Sequence, residues 1–315
     1  MATDDRGGVL FCHAHPDDES MGTGGTIARL VAESARVDLV TCTDGAEGEI
    51  HDPSLDLDEA RPRLAEIRRA ELACSVDALG AGAIRQHLLG YRDSGMMGTD
   101  ANAHADSFWQ ADIEEATRRL IEIVREARPA VVVTYDENGN YGHPDHINAA
   151  RIARDAYLAS QGTDWAVARF YEIAFHRDAW FGLMTEMRER GIELPWDMDS
   201  VVDPTPADQL NPTNAAALGQ VADSLDPSAD PDAASWEESF GRSDAEITTR
   251  VDVSGQRDAK RRSMDCHKTQ RQDLGWLLDL PDDLADRAIA TEYFVLRWLD
   301  GAEPPSGYRE EWLLP

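Results

Sequence analysis

The run Ala130-Val131-Val132-Val133-Thr134-Tyr135 constrains the fold of this chain more than any other stretch. It reads as a buried β-strand, and it follows a helical segment, Glu114–Arg128, with Leu120, Ile121, Ile123 and Val124 on its apolar side and Pro129 as its stop. The same alternation runs through the first half of the chain. Strands are expected at Val9–Ala14, Arg36–Thr43, Ile84–Leu89 and Ala168–Phe175. Helices are expected over Thr26–Glu33, Asn148–Ala159 and, as one long element stopped by Gly80, Glu59–Leu79. Alternating strands and helices predict an α/β fold: a Rossmann-like, mostly parallel sheet with helices on both faces. Residues 1–177 form this core. Residues 178–315 read as a smaller, irregular C-terminal part, with a Pro-, Asp- and Ala-rich surface excursion or lid at about 195–245. A strand at Ile247–Val253, a helix over Gln256–Thr269 and a strand at Thr291–Trp298 then return to the core.

Two strand ends gather unusual chemistry. The first strand runs into His13-Ala14-His15-Pro16-Asp17-Asp18-Glu19, and the Ala130–Tyr135 strand leads to Tyr141-Gly142-His143-Pro144-Asp145-His146. Open α/β sheets place ligands at the carboxyl ends of their strands. Imidazole and carboxylate are the ligand types of a hydrolytic Zn²⁺ that keeps one position open for water. With Pro144 as the first helical residue, His143 sits at a helix mouth and His146 one turn in. A parallel sheet would bring this loop beside His15 and Asp18, so that two His and one Asp from the two loops make a three-ligand site with a position left for water, and Asp17 is left to serve as base. His13 shares a strand face with His15 but lies deeper, as a supporting or core residue. His51, His87, His104, His176 and His267 have no ligand-like spacing and read as ordinary surface or core residues.

Gly22-Thr23-Gly24-Gly25 follows a strand and opens a helix, but a dinucleotide fingerprint needs glycine where Ile27 stands, and the acids upstream repel a pyrophosphate. These glycines are expected instead to allow close backbone approach near the metal. A formal charge of −30 excludes nucleic acid and anionic membranes as partners. Neither an apolar span nor a signal peptide is visible, so a cytoplasmic protein is expected. The cysteines Cys12, Cys42, Cys74 and Cys266 contain no CxxC pair, so neither a disulfide nor a thiolate zinc site is expected.

Ala14-His15-Pro16-Asp17-Asp18-Glu19 together with His143-Pro144-Asp145-His146 resembles the signature pair of the LmbE/PIG-L family of zinc-dependent N-acetylglucosamine deacetylases. The similarity extends over Thr41–Glu49, Arg68, Tyr91–Met96 and Val133–Asp136, roughly residues 8–175. Within the family the chain is similar to the mycothiol-pathway group, which holds both a deacetylase of N-acetylglucosaminyl-inositol and an S-conjugate amidase. The resemblance implies that His15, Asp18 and His146 bind Zn²⁺, with Fe²⁺ as the alternative, and that Asp17 is the general base. It implies that His143 stabilises the oxyanion and protonates the leaving amine, and that Tyr141 helps polarise the carbonyl. Arg68 and Asp93 match positions that contact the polyol of a small sugar substrate, and Glu47 lies in the polar loop beside them. Gly22 departs from the family pattern, which leaves the choice between deacetylase and amidase open and suggests extra room beside the metal. The competing class is a non-catalytic sugar- or metal-binding module, for which Asp17 has no use. A homo-oligomer is left open.

Overall fold

The computed structural model describes residues 7–192, 241–271 and 275–314. Seven strands form one sheet in the order β3-β2-β1-β4-β5-β7-β6. These are β1 (Val9–His13), β2 (Val37–Thr43), β3 (Ile84–Tyr91), β4 (Val131–Thr134), β5 (Arg169–Ala174), β6 (Thr249–Asp252) and β7 (Thr291–Leu299). The first five run parallel, with Val9 opposite both Val37 and Val131. β7 pairs antiparallel with β5 and with β6.

The helices are α1 (Asp18–Gly22), α2 (Gly24–Ala32), α3 (Leu64–Gly80), α4 (Ile113–Ala127), α5 (Pro144–Ser160), α6 (Arg177–Glu189), α7 (Arg257–Cys266) and α8 (Asp282–Ile289). β1, β2 and β4 are buried along their whole length, so their apolar runs meet side chains on both faces. α5 contributes Ile152, Ala153, Ala156 and Tyr157 to that core, and α3 contributes Leu72, Val76 and Leu79. A second apolar cluster lies in the C-terminal part, where Met184 and Met187 meet Met264, Trp276 and Leu284.

The single long helix expected over 59–79 is broken. A turn at Leu57–Ala60 is capped by Asp56, Arg61–Arg63 tightens into a 3₁₀ turn around Pro62, and only then does α3 begin. Proline lacks the N–H that a continuous helix requires at that point. α6 and α8 were not expected, because short amphipathic helices in an acidic, proline-rich background give little periodic signal. The excursion expected at 195–245 lies, up to residue 240, outside the described residues.

The expectation of unpaired cysteines is corrected. Cys74 on α3 and Cys266 at the end of α7 form a disulfide across 192 residues, with Cα atoms 5.7 Å apart, while Cys12 and Cys42 are free and buried. No local spacing announces this pair, since it depends on α7 packing against α3. Among the described residues no helix is long and apolar enough to cross a membrane.

Candidate metal and catalytic site

β1 and β4 are neighbours, and the chain leaves β1 toward β2 on one side and reaches β4 on the other. Their carboxyl ends therefore flank the topological switch point, where a crevice opens in a sheet of this kind. At the end of β1 the chain is anchored by Tyr135, whose hydroxyl accepts from the Ala14 amide at 2.8 Å. His13 is fully buried and hydrogen-bonds Thr23 and Tyr135, so it supports the turn and does not enter the crevice. Beyond Pro16, Asp17 takes φ 142°, ψ −29° and α1 begins at Asp18. A non-glycine residue in that region costs about 1–3 kcal/mol and persists only where its surroundings impose it. At the other strand end, Pro144 is the first residue of α5 and His143 its N-cap, the imidazole Nδ1 accepting from the Asp145 amide at 3.1 Å.

The two turns bring three donors together. His15 Nδ1 lies 3.2 Å from His146 Nε2, and the Asp18 carboxylate reaches each imidazole at 3.4 Å. Ligands about 2.0–2.1 Å from a tetrahedral ion stand about 3.3–3.4 Å from one another, and these contacts, made through Oδ2 of Asp18 to His15 and Oδ1 to His146, are of that length. The two nitrogens facing each other are also what a shared cation would draw together. The other nitrogen of His15, Nε2, is 3.1 Å from Asp145 Oδ2 and 3.6 Å from Asp93. A carboxylate on the far nitrogen of a ligating histidine fixes its tautomer and aims its lone pair. Asp145 is itself held by the amide and hydroxyl of Ser94. The nitrogens of His15, His143 and His146 also form a compact group, as do His15, Asp93, His143 and Asp145. Asp18 lies beside two members of the first group, His15 and His146, at 3.4 Å from each.

The electrostatics separate the residues into distinct roles. Burial pushes the Asp17 carboxyl up to about 7, against the pull of Arg68. Burial also works against the Asp18 anion, but His146 and His15 outweigh it and hold that carboxyl well below the usual range. Burial lowers His146 to about 4, and burial with the neighbouring imidazoles holds His143 well below its ordinary value. Burial raises Asp145 to about 6, opposed by His15. A neutral His143 that accepts at Nδ1 carries its proton on Nε2.

The residues expected to touch substrate are differently placed. Arg68 is 2% exposed, and its guanidinium donates to Asp17 Oδ2 at 2.6 Å, Pro16 O at 2.8 Å and Gly45 O at 2.9 Å. Asp93 is buried and accepts from the Gly95 and Glu47 amides, while the Glu47 side chain pairs with Arg92. Tyr141 is 52% exposed, with its hydroxyl 3.4 Å from His146 Nε2, between positive-φ residues Asn140 and Gly142.

The expectation for the glycines is corrected as well. A Cβ on Gly25 would strike Val253 at 2.5 Å, and one on Gly22 would meet Ile173 at 3.0 Å, so both serve packing and neither makes room at the metal. The Gly25 and Thr26 amides donate to Glu292, which pairs with the buried Lys260 at 2.6 Å. That carboxylate occupies the place a phosphate would take at the start of α2.

Asp145, Tyr135 and Ser94 join the site without having been singled out. Asp145 lies inside the second motif and could have been found there as the partner a metal-bound histidine needs. Glu19 and His267 also meet beneath Asp17, 2.7 Å apart, although nothing in the spacing of His267 marks it.

The PIG-L family, described as GlcNAc-PI de-N-acetylase, matches residues 10–157. The chain is 38% identical over 304 residues to 1D-myo-inositol 2-acetamido-2-deoxy-alpha-D-glucopyranoside deacetylase of Thermobispora bispora, covering 92% of this chain and 87% of that one. It is 37% identical over 317 residues to the protein of the same name from Thermobifida fusca, covering 96% and 97%. Among solved structures, N,N'-diacetylchitobiose deacetylase from Pyrococcus horikoshii aligns with TM-score 0.50 at 18% identity, over 92% of this chain and 84% of that one. The 4-carboxy-2-hydroxymuconate hydratase from Pseudomonas putida aligns with TM-score 0.53 at 14% identity, over 95% and 98%. These two likenesses concern the fold alone. One is named a hydratase, so the architecture does not by itself choose the reaction.

Proposed function

The chain belongs to the PIG-L (GlcNAc-PI de-N-acetylase) family, and from that premise we propose that it is a zinc-dependent deacetylase that hydrolyses the acetamide of an N-acetylglucosaminyl-inositol. The observation that carries this reading is the convergence of His15, Asp18 and His146 at 3.2–3.4 Å with a second carboxylate, Asp17, alongside. A binding module needs the first three and has no use for the fourth.

His15, Asp18 and His146 would hold the ion, and their imidazole and carboxylate donors suit Zn²⁺. Bound there, the ion supplies a Lewis acid that polarises the acetyl carbonyl and makes water acidic enough to react. Asp17 takes the proton of the attacking water, and a carboxyl near 7 is matched to that task at neutral pH. Arg68 holds Asp17 in place and limits the rise that burial gives its pKa. His143 presents Nε2–H to the carbonyl oxygen as charge builds on it, with Tyr141 as a second donor from the open side. The environment of His143 favours the neutral ring, which fits it to donate a hydrogen bond and leaves little imidazolium to protonate the amine. The proton gained by Asp17 is then the one delivered to the departing amine. Asp145 and Ser94 orient His15 from behind.

The test is amine release from N-acetylglucosaminyl-inositol with metal analysis of the same sample. Turnover lost on chelation and restored by Zn²⁺, about one ion per chain, is expected. An inert zinc-loaded protein, or undiminished turnover without metal, overturns the reading.

A further inference from the structure

Beneath the site lies a buried cluster that the reaction above does not use. Glu19 is fully buried and His267 is 1% exposed. Glu19 Oε1 accepts from His267 Nε2 at 2.7 Å and from the Ser75 hydroxyl, while Oε2 accepts the backbone amide of Asp17 at 3.0 Å. Ser75 in turn meets Ser263 at 2.7 Å. The backbone of Asp17, in its strained conformation, is thus tied to a carboxylate whose own position is set from the C-terminal part of the chain.

His267 is in turn fixed by its neighbours. Cys266 is bonded to Cys74, Thr269 donates through its amide and hydroxyl to Glu71 at 2.8 and 2.6 Å, and Gln270 donates to Glu49 O at 2.8 Å. Residues 266–270 are stitched to α3 and to the loop below the crevice. From this geometry we infer that the His267–Glu19 pair is a positioning device for Asp17: His267 fixes Glu19, and Glu19 fixes the Asp17 backbone so that its carboxylate meets the attacking water. The inference rests on the deacetylase reading for the role of Asp17. Neither residue touches substrate or metal, and both act through Asp17.

The experiment compares His267→Gln with His267→Asn. Both replace the ring by a neutral amide, but only glutamine carries its N–H to where Nε2 stands. Three quantities are read: kcat and KM on N-acetylglucosaminyl-inositol, bound zinc, and hydrogen exchange of the Asp17 amide. His267→Gln is expected to stay near the parent. His267→Asn is expected to lose kcat by up to ~10²-fold, as an ångström-scale misplacement does, with KM and zinc content held and the Asp17 amide exchanging faster. Equal kcat and equal Asp17 protection in the two His267 variants overturn the inference. An inactive parent protein would instead overturn the deacetylase reading, and the amide-exchange comparison would still decide the inference.

Discussion

Arg68 and Asp17 form a buried ion pair, Nη2 to Oδ2 at 2.6 Å, so the carboxylate beside the three candidate metal ligands is held in place by a cation that is itself buried. The pull of Arg68 partly offsets the burial that raises Asp17. Removing that cation by Arg68→Met therefore raises the Asp17 pKa further. A base must be deprotonated to act, so the acid limb of the kcat/KM profile is expected to move to higher pH by about one unit or more. A profile whose acid limb stays in place, whatever the drop in rate, would separate Arg68 from the ionisation of the base.

The three converging donors and Asp17 should respond differently to truncation. Asp18→Ala and His146→Ala are expected to bind zinc at least tenfold more weakly. Asp17→Asn should retain it and lose turnover by about 10²-fold or more. Asp145→Asn, which weakens the carboxylate behind His15, is expected to cost about 10–100-fold in metal affinity. Competition against a chromophoric chelator measures all four, and equal zinc loss in Asp17→Asn and Asp18→Ala would show that the roles are misassigned.

The disulfide spans most of the chain, and cross-linking a loop that long restricts the unfolded state. Cys74→Ser is expected to destabilise the fold by about 2–4 kcal/mol, read from urea denaturation. Peptide mapping without reductant should recover Cys74 and Cys266 as one linked pair, with Cys12 and Cys42 alkylated only after unfolding. Free Cys74 in freshly isolated protein would refute the pairing.

Glu172, on β5, is pushed from 4.5 to about 7 by burial and by Asp136. The folded state therefore holds this proton more tightly than the unfolded state does. Stability on this account is undiminished below about pH 4.5, falls as pH rises toward about 7, and stays lower beyond it. Glu172→Gln cannot ionise, so its stability relative to the parent should be greater at pH 8 than at pH 5, by no more than about 3 kcal/mol. An identical difference at the two pH values would count against the raised pKa.

The parallel core was legible because β1 and β4 are apolar runs, β2, β3 and β5 are short β-rich stretches, and helical segments of a different period lie between them. The candidate metal ligands stood out because they sit within a few residues of two strand ends. Resemblance to a family then distinguished His146 from His143, which spacing could not. What was hidden depends on contacts between distant segments. Arg68 looks like any surface arginine of a helix until the fold turns it under Asp17. Cys74 and Cys266 look like isolated thiols until α7 docks on α3. His267 stands in no pattern, and only the tertiary structure sets it against Glu19. The broken helix at Pro62 is the exception, since the proline itself gave the signal.

The contact between Glu19 and His267 joins residues 248 positions apart. A ribosome makes Glu19 early and His267 late. Once residue 146 has been added, the emerging chain has both strand ends and all three donors, yet the carboxylate under Asp17 still has no imidazole to meet. The nascent sheet can assemble around an unfinished floor, and the base gains its final seat only when the C-terminal segment arrives. On the positioning role inferred for His267, order of synthesis delays the final seating of Asp17 until residue 267 has been added.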